Sequence, residues 1–176
     1  GSSGTKEYNE GIRAKYALGE WDSREFYEAV RRELGLDMTY GQFADAWCEM
    51  FEPHGEIVDF VQRAHEGVIR QCALSSTDPL HMEKMASVGK LRENIGKENF
   101  VTTYQMRRKK PHPDLFDAAI RVLGVPKESC AYVEDVQKYA DAFSAYGGGA
   151  AVLLDPKQPG FQRRAIEDLH NLGFKA

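Results

Sequence analysis

The sequence predicts an α/β fold, a parallel sheet with helices on both faces, preceded by a small all-helical segment. Three observations predict it. The first 66 residues carry apolar side chains at helical spacing and nothing else. From residue 68 onward, short apolar runs alternate with amphipathic ones, four times over. The amphipathic runs carry helix-start or helix-stop residues, which mark where the chain turns. Four β-α units in succession place the strands side by side and parallel, because each right-handed crossover returns the chain to the same sheet edge.

The helical segment is read from its caps. In WDSREFYEAVRRELG, Asp22 precedes a helix with Glu25 three residues on, the acidic form of a capping box. Phe26, Ala29, Val30 and Leu34 then recur at helical spacing and Gly35 stops the run. In MTYGQFADAWCEMF, Thr39 is the expected cap of a second helix bearing Phe43, Ala46, Trp47 and Met50. Pro53 opens the third, PHGEIVDFVQRAHEG, with Ile57, Phe60, Val61 and Ala64 on one face and Gly67 as its stop. VIRQCALSS is the first strand, followed by the helix DPLHMEKMASVGKL with Pro79 in its first turn. NFVTTY is the second strand, and HPDLFDAAIRVLG is a helix between Pro113 and Gly124. SCAYVED is a third strand, VQKYADAFSAYG a helix stopped by Gly147, AAVLLD a fourth strand, and FQRRAIEDLHNLG the closing helix. Residues 1–4 read as a cloning remnant, 5–66 as the helical segment with its connecting helix, and 67–176 as the α/β core.

Composition narrows the function classes. With 42% apolar and 28% charged residues the chain has enough apolar mass for a real core. A net charge of −4 and a pI near 5.8 argue against nucleic acid as a partner, so Arg107, Arg108 and Lys109 in RRKK read as a solvated loop. No apolar run approaches the ~18–20 residues of a membrane helix, and no secretory leader is visible. Cys48, Cys72 and Cys130 are odd in number and lack a C-x-x-C pattern, so reduced thiols in a cytoplasmic protein are expected.

In a parallel sheet, ligands bind at the carboxyl ends of the strands. Those ends carry Ser75, Ser76 and Thr77, then Thr103, then Glu134 and Asp135, then Asp155, and the loop bearing Lys110 leaves from the same edge. Each has a plain reading: Ser75 to Asp78 as a helix N-cap, Lys110 as one more solvated cation, Glu134 and Asp135 as caps of the next helix. Their convergence on one rim argues for a site.

In their order and spacing, ALSSTDPLH, KPHPDLF and AYVEDVQKYADAFSAYG resemble the second, third and fourth motifs of the haloacid dehalogenase-like hydrolase superfamily. The resemblance covers roughly residues 15–175, and LGEWDSREFYEAVRRELG resembles the small helical cap that many members insert after their first strand. It implies a three-layer Rossmann-like sheet and a Mg²⁺-dependent phosphatase chemistry, in which an Asp nucleophile forms an aspartyl phosphate that water hydrolyses. By the same resemblance Ser75, with Ser76 beside it, would hold phosphate oxygens, Lys110 would neutralise charge on the transferring group, and Glu134 and Asp135 would help hold Mg²⁺. Of the two acids Asp135 is the favoured ligand. Tyr139 stands where the family often has Asn or Asp, and Asp141 reads as a solvated helix residue.

The family's first motif, an apolar strand ending in Asp-x-Asp before the cap, has no counterpart in GSSGTKEYNEGIRAKYALG. Asp22 is better explained as a helix cap, and Asp155 is followed by Lys157 where a second Asp would stand. The chain as given is therefore expected to be catalytically inactive, a phosphatase fragment or, as the alternative, a natural pseudoenzyme that binds or regulates. A phosphorylated small molecule is the expected ligand. The usual central strand would lie between the strands bearing Ser75 and Glu134, and its loss would leave a space of ~9–10 Å bordered by unpaired edges. Three outcomes are expected: the strand was lost by truncation or proteolysis, the two flanking strands pair directly, or another chain, a donor or dimer partner, supplies a strand.

Overall fold

The computed structural model describes residues 11–176, so the reading of residues 1–4 lies outside the described residues. In chain order the elements are α1 (Arg13–Ala17), α2 (Ser23–Leu34), α3 (Tyr40–Trp47), α4 (Gly55–Glu66), β1 (Ala73–Ser75), α5 (Pro79–Ser87) and α6 (Leu91–Ile95). They continue as β2 (Phe100–Thr102), α7 (Thr103–Met106), α8 (Pro113–Leu123), β3 (Ala131–Glu134), α9 (Gln137–Ala145), β4 (Ala150–Leu153) and α10 (Phe161–Asn171).

The first two helices of the segment start where their caps predict, but α3 ends at Trp47 and leaves Met50 exposed, and α4 starts at Gly55, two residues past Pro53. Asp22 accepts from the backbone N–H groups of Arg24 and Glu25 at 2.8 and 2.9 Å, and Glu25 accepts from the Asp22 N–H at 2.8 Å. Thr39 and Gln42 make the equivalent box at α3. The faces these helices bury are aromatic: Tyr16 stacks on Phe26 with ring centroids 4.1 Å apart, and Tyr27, Val30 and Phe43 complete the cluster. Phe26 is fully buried, worth ~1.5–3 kcal/mol relative to an exposed ring. The third predicted helix, α4, packs elsewhere. Its Phe60 and Ala64 meet Val152 of β4 and Ala165 and Leu169 of α10, so it covers one face of the sheet.

Alternation along the strands makes the layers. In β3 and β4, Ala131 and Val152 face α4 and α10, whereas Tyr132 and Ala151 face α8 and α9 with Phe116 and Phe143. In β1 and β2, Leu74 and Val101 face Leu115 and Ala118 of α8. All pairings are parallel: Ala73↔Phe100 to Ser75↔Thr102, and Ala131↔Ala150 to Glu134↔Leu153.

Among the described residues the strands form two two-stranded sheets, β1-β2 and β3-β4, rather than one. Direct pairing of the strands bearing Ser75 and Glu134 is thus the outcome the structure does not show. Side chains bridge the division instead, since Leu74 contacts both the Val101–Leu115 cluster and the Phe116–Phe143 cluster. The strands are also shorter than their apolar runs. Thr103 and Tyr104, predicted as strand, open α7, because the Thr102 hydroxyl caps that turn by accepting from the Gln105 N–H at 3.4 Å.

Candidate functional site

The carboxyl edge of β3 carries the best-defined cluster. Glu134 ends that strand with its side chain only 4% exposed, and the Lys110 ammonium, 8% exposed, sits 2.6 Å from its Oε2. Lys110 arrives there because α7 ends at Arg107 in the left-handed region and the loop then runs to His112, which starts α8 by accepting from the Asp114 N–H at 3.3 Å. The Tyr132 hydroxyl donates to the same Oε2, and the Lys110 Nζ lies 3.3 Å from that hydroxyl. The backbone N–H of Val136 donates to Glu134 Oε1 at 3.2 Å. Two aromatic rings flank the cation, with centroids 5.0 Å (Tyr139) and 5.9 Å (Tyr132) from Nζ.

The electrostatics follow from these contacts. Burial alone would raise the Glu134 carboxyl, but hydrogen bonds from Lys110 and Tyr132, with the Lys110 charge, outweigh it and hold the group below its usual value. The exposed Asp135 moves the other way, raised by its hydrogen bond with Glu134, by burial and by the neighbouring charge. Burial first and the Glu134 carboxylate second push the Tyr132 hydroxyl well above its usual range, so it acts as a donor.

At the end of β1 the structure separates cap from candidate ligand. Asp78, not Ser75 or Ser76, caps α5 by accepting from the His81 N–H at 2.9 Å. The Ser75 hydroxyl has Met85 Sδ at 3.9 Å, a weak acceptor, and Ser76 is exposed. One hydroxyl ties this loop to the start of α7: Thr103 Oγ1 accepts from the Thr77 N–H and donates to the Thr77 carbonyl, both at 3.2 Å. Asp155 accepts from the Lys157 N–H at 3.0 Å and serves its own turn.

Of the sequence-predicted residues, then, Lys110, Glu134 and Asp135 come together. Ser75 ends a strand of the other pair and Ser76 follows it, and among the described residues no hydrogen bond or ion pair joins them to Lys110 or the acids. Lys110 is no solvated cation, and Glu134 is its counter-ion. Tyr132 was missed, although it stands two residues before Glu134 and so on the same strand face. For a divalent cation the donor set is thin. Both Glu134 oxygens are engaged, and among the described residues no group of three or more His, Cys, Asp or Glu side chains is placed to hold a metal. The described residues do not by themselves complete a Mg²⁺ site.

Comparisons with known proteins agree with this architecture. A family model described as haloacid dehalogenase-like hydrolase matches residues 5–147. A HAD family enzyme from Bacteroides thetaiotaomicron superposes with a TM-score of 0.75 at 18% identity, over 88% of this chain and 78% of that one. Its structure with magnesium and inorganic phosphate gives a TM-score of 0.71 at 18% identity, over 88% of this chain and 82% of that one. A HAD-like family hydrolase from Porphyromonas gingivalis gives a TM-score of 0.75 at 21% identity, over 95% and 84%. At such identities the likeness is one of fold. No curated protein matches the chain.

Proposed function

The chain belongs to the haloacid dehalogenase-like hydrolase family, and on that premise we propose that its carboxyl-edge site binds the phosphoryl group of a small phosphorylated molecule without hydrolysing it in the chain as given. The observation that carries this reading is Lys110: a cation almost wholly withdrawn from water, held beside Glu134 at the sheet edge where an anion would enter. Ser75 supports it, because Asp78 does the capping and leaves that hydroxyl to a ligand. The absence of turnover rests on the sequence, in which no Asp-x-Asp occurs. Without a nucleophile the covalent step has no beginning, and the remaining groups only assist it. Magnesium accompanies phosphate in a structural neighbour, and here Asp135 is the exposed member of the acid pair that would help hold it. The reading therefore assigns Mg²⁺ a place only together with a phosphoryl oxygen.

Thermal unfolding in the presence of inorganic phosphate tests this. A ligand that binds the folded state stabilises it by about 2.7 kcal/mol at a hundred times its dissociation constant. Phosphate should raise the Tm of the parent chain, and K110A and S75A should reduce the rise. A parent Tm indifferent to phosphate would remove the reading.

The divided sheet favours a second reading, in which the domain is a partner-dependent binding module. β2 is buried along its length, whereas Ala73, Leu74 and Ser75 of β1 are half-buried, with an edge turned away from β2. An apolar strand from another polypeptide, running parallel to β1 and β3, would satisfy the two edges that no strand among the described residues pairs. A short β-branched peptide should then raise the Tm and its proline-interrupted version should not; equal behaviour of the two would set this reading aside.

A further inference from the structure

The junction between the helical segment and the sheet is closed around one histidine. His81, on the first turn of α5, has 12% of its side chain exposed. Its Nδ1 lies 3.0 Å from Asp78 Oδ2, and its Nε2 lies 2.8 Å from the backbone carbonyl oxygen of Trp47, at the end of α3. The Trp47 ring stacks on the imidazole with centroids 5.1 Å apart and planes within 8°, and Phe51 meets it edge-on at 5.0 Å.

We propose that His81 is a proton-operated latch that joins α3 to α5 as an imidazolium and lets go of Trp47 when it loses its proton. Both ring nitrogens face oxygens that can only accept, a carboxylate and a carbonyl. A neutral imidazole has one N–H and one lone pair, so it satisfies one of them and sets its lone pair against the other. Turning the ring over offers no escape, since carbon atoms would then occupy both positions and both hydrogen bonds would be lost. Only the doubly protonated ring fits. Its charge also suits the stacked indole.

The surrounding charges decide whether the proton stays. Burial works against it. The hydrogen bond to Asp78, the Trp47 carbonyl and the Asp78 charge work for it and prevail, against a smaller opposition from Arg13 of α1. The other ionisable groups at this seam are Tyr16 of α1, whose hydroxyl accepts from the Leu80 N–H, and Cys48 after α3, with Glu83 and Lys84 of α5 near it. The folded-state value of His81 is thus above its ordinary one. The latch contributes its full stability below about pH 6.5, the unfolded value, and loses it as pH rises through the folded value. Two contacts remain when it opens: the Trp47 Nε1–H donates to Asp78 Oδ2 at 3.1 Å, and the Cys48 thiol donates to the Leu80 carbonyl at 3.6 Å. Loosening is therefore confined to the end of α3, where an open groove of about 860 Å³ lies between Cys48, Glu49 and Phe51 on one side and Leu80, Glu83 and Lys84 on the other.

The test uses W21F, which leaves Trp47 as the reporter of the two tryptophans. The His81 ring nitrogens are followed by NMR and Trp47 by fluorescence across about pH 5–9, a range that brackets an ordinary histidine. Both nitrogens should be protonated at the acid end, the midpoint should lie above about 6.5, and the fluorescence should follow the same midpoint. H81Q should abolish that fluorescence transition. A midpoint at or below the ordinary value, a fluorescence change that does not track His81, or an unchanged transition in H81Q overturns the latch. If H81Q fails to fold, the coincidence of the two midpoints in W21F decides alone.

Discussion

Lys110 and Glu134 are the residues on which the site depends. With side chains 8% and 4% exposed, neither charge has water to fall back on. Replacing Lys110 by Ala strands a buried carboxylate and should cost about 3 kcal/mol in chemical denaturation. Adding E134Q to K110A should restore much of the loss, and strict additivity of the two changes would show that the pair is not coupled. Because Glu134 is held below its usual value, its contribution is present above the ordinary carboxyl range and disappears as pH falls through the lower, folded value. The acid limb of the parent stability curve should therefore be steeper than that of E134Q. The cation and the acid pair were legible in the sequence because each stands at the end of a strand or of the loop beside one. Tyr132 was not, since a tyrosine in an apolar strand reads as core until Glu134 is known to share its face.

At the scale of elements, helix ends were the most legible feature, because a cap needs only residues three or four apart. Asp22, Thr39, Gly35 and Gly124 all do what their types predict. The end of α4 is an exception. Gly67 keeps a negative φ, and Val68 takes the left-handed position at φ 63°, with its N–H bonded to the His65 carbonyl and that of Ile69 to the Ala64 carbonyl. This is a Schellman motif with a β-branched residue where glycine is normal. Val68 is 86% exposed, so little burial is at stake, and V68G should stabilise the chain by about 1 kcal/mol. A lower Tm for V68G would mean that the valine makes a contact worth more than its strain. The His81 latch was invisible at this scale, since its partners Trp47 and His81 lie 34 positions apart and neither belongs to a recognisable pattern.

For the whole molecule, the order of elements fixes which side chains can meet, and that much was legible: parallel strands, helices on both faces, and Lys110 with Glu134 and Asp135 at the carboxyl edge. How far α4 belongs to the sheet was not, because its apolar face is equally suited to helices or strands and only tertiary contact with Val152 and Leu169 decides. The division into two strand pairs is likewise non-local. Leu74 shows how side chains bridge it. The result is one strand pair whose carboxyl edge gathers Lys110, Glu134 and Asp135, a second that ends in Ser75, and no Asp-x-Asp in the sequence.

Hydrolysis of a generic phosphomonoester by the purified chain with Mg²⁺, run beside K110A, tests that combination most directly. No phosphate should be released above the K110A control, even where phosphate raises the Tm of the parent chain. Release above that control would contradict the absence of turnover.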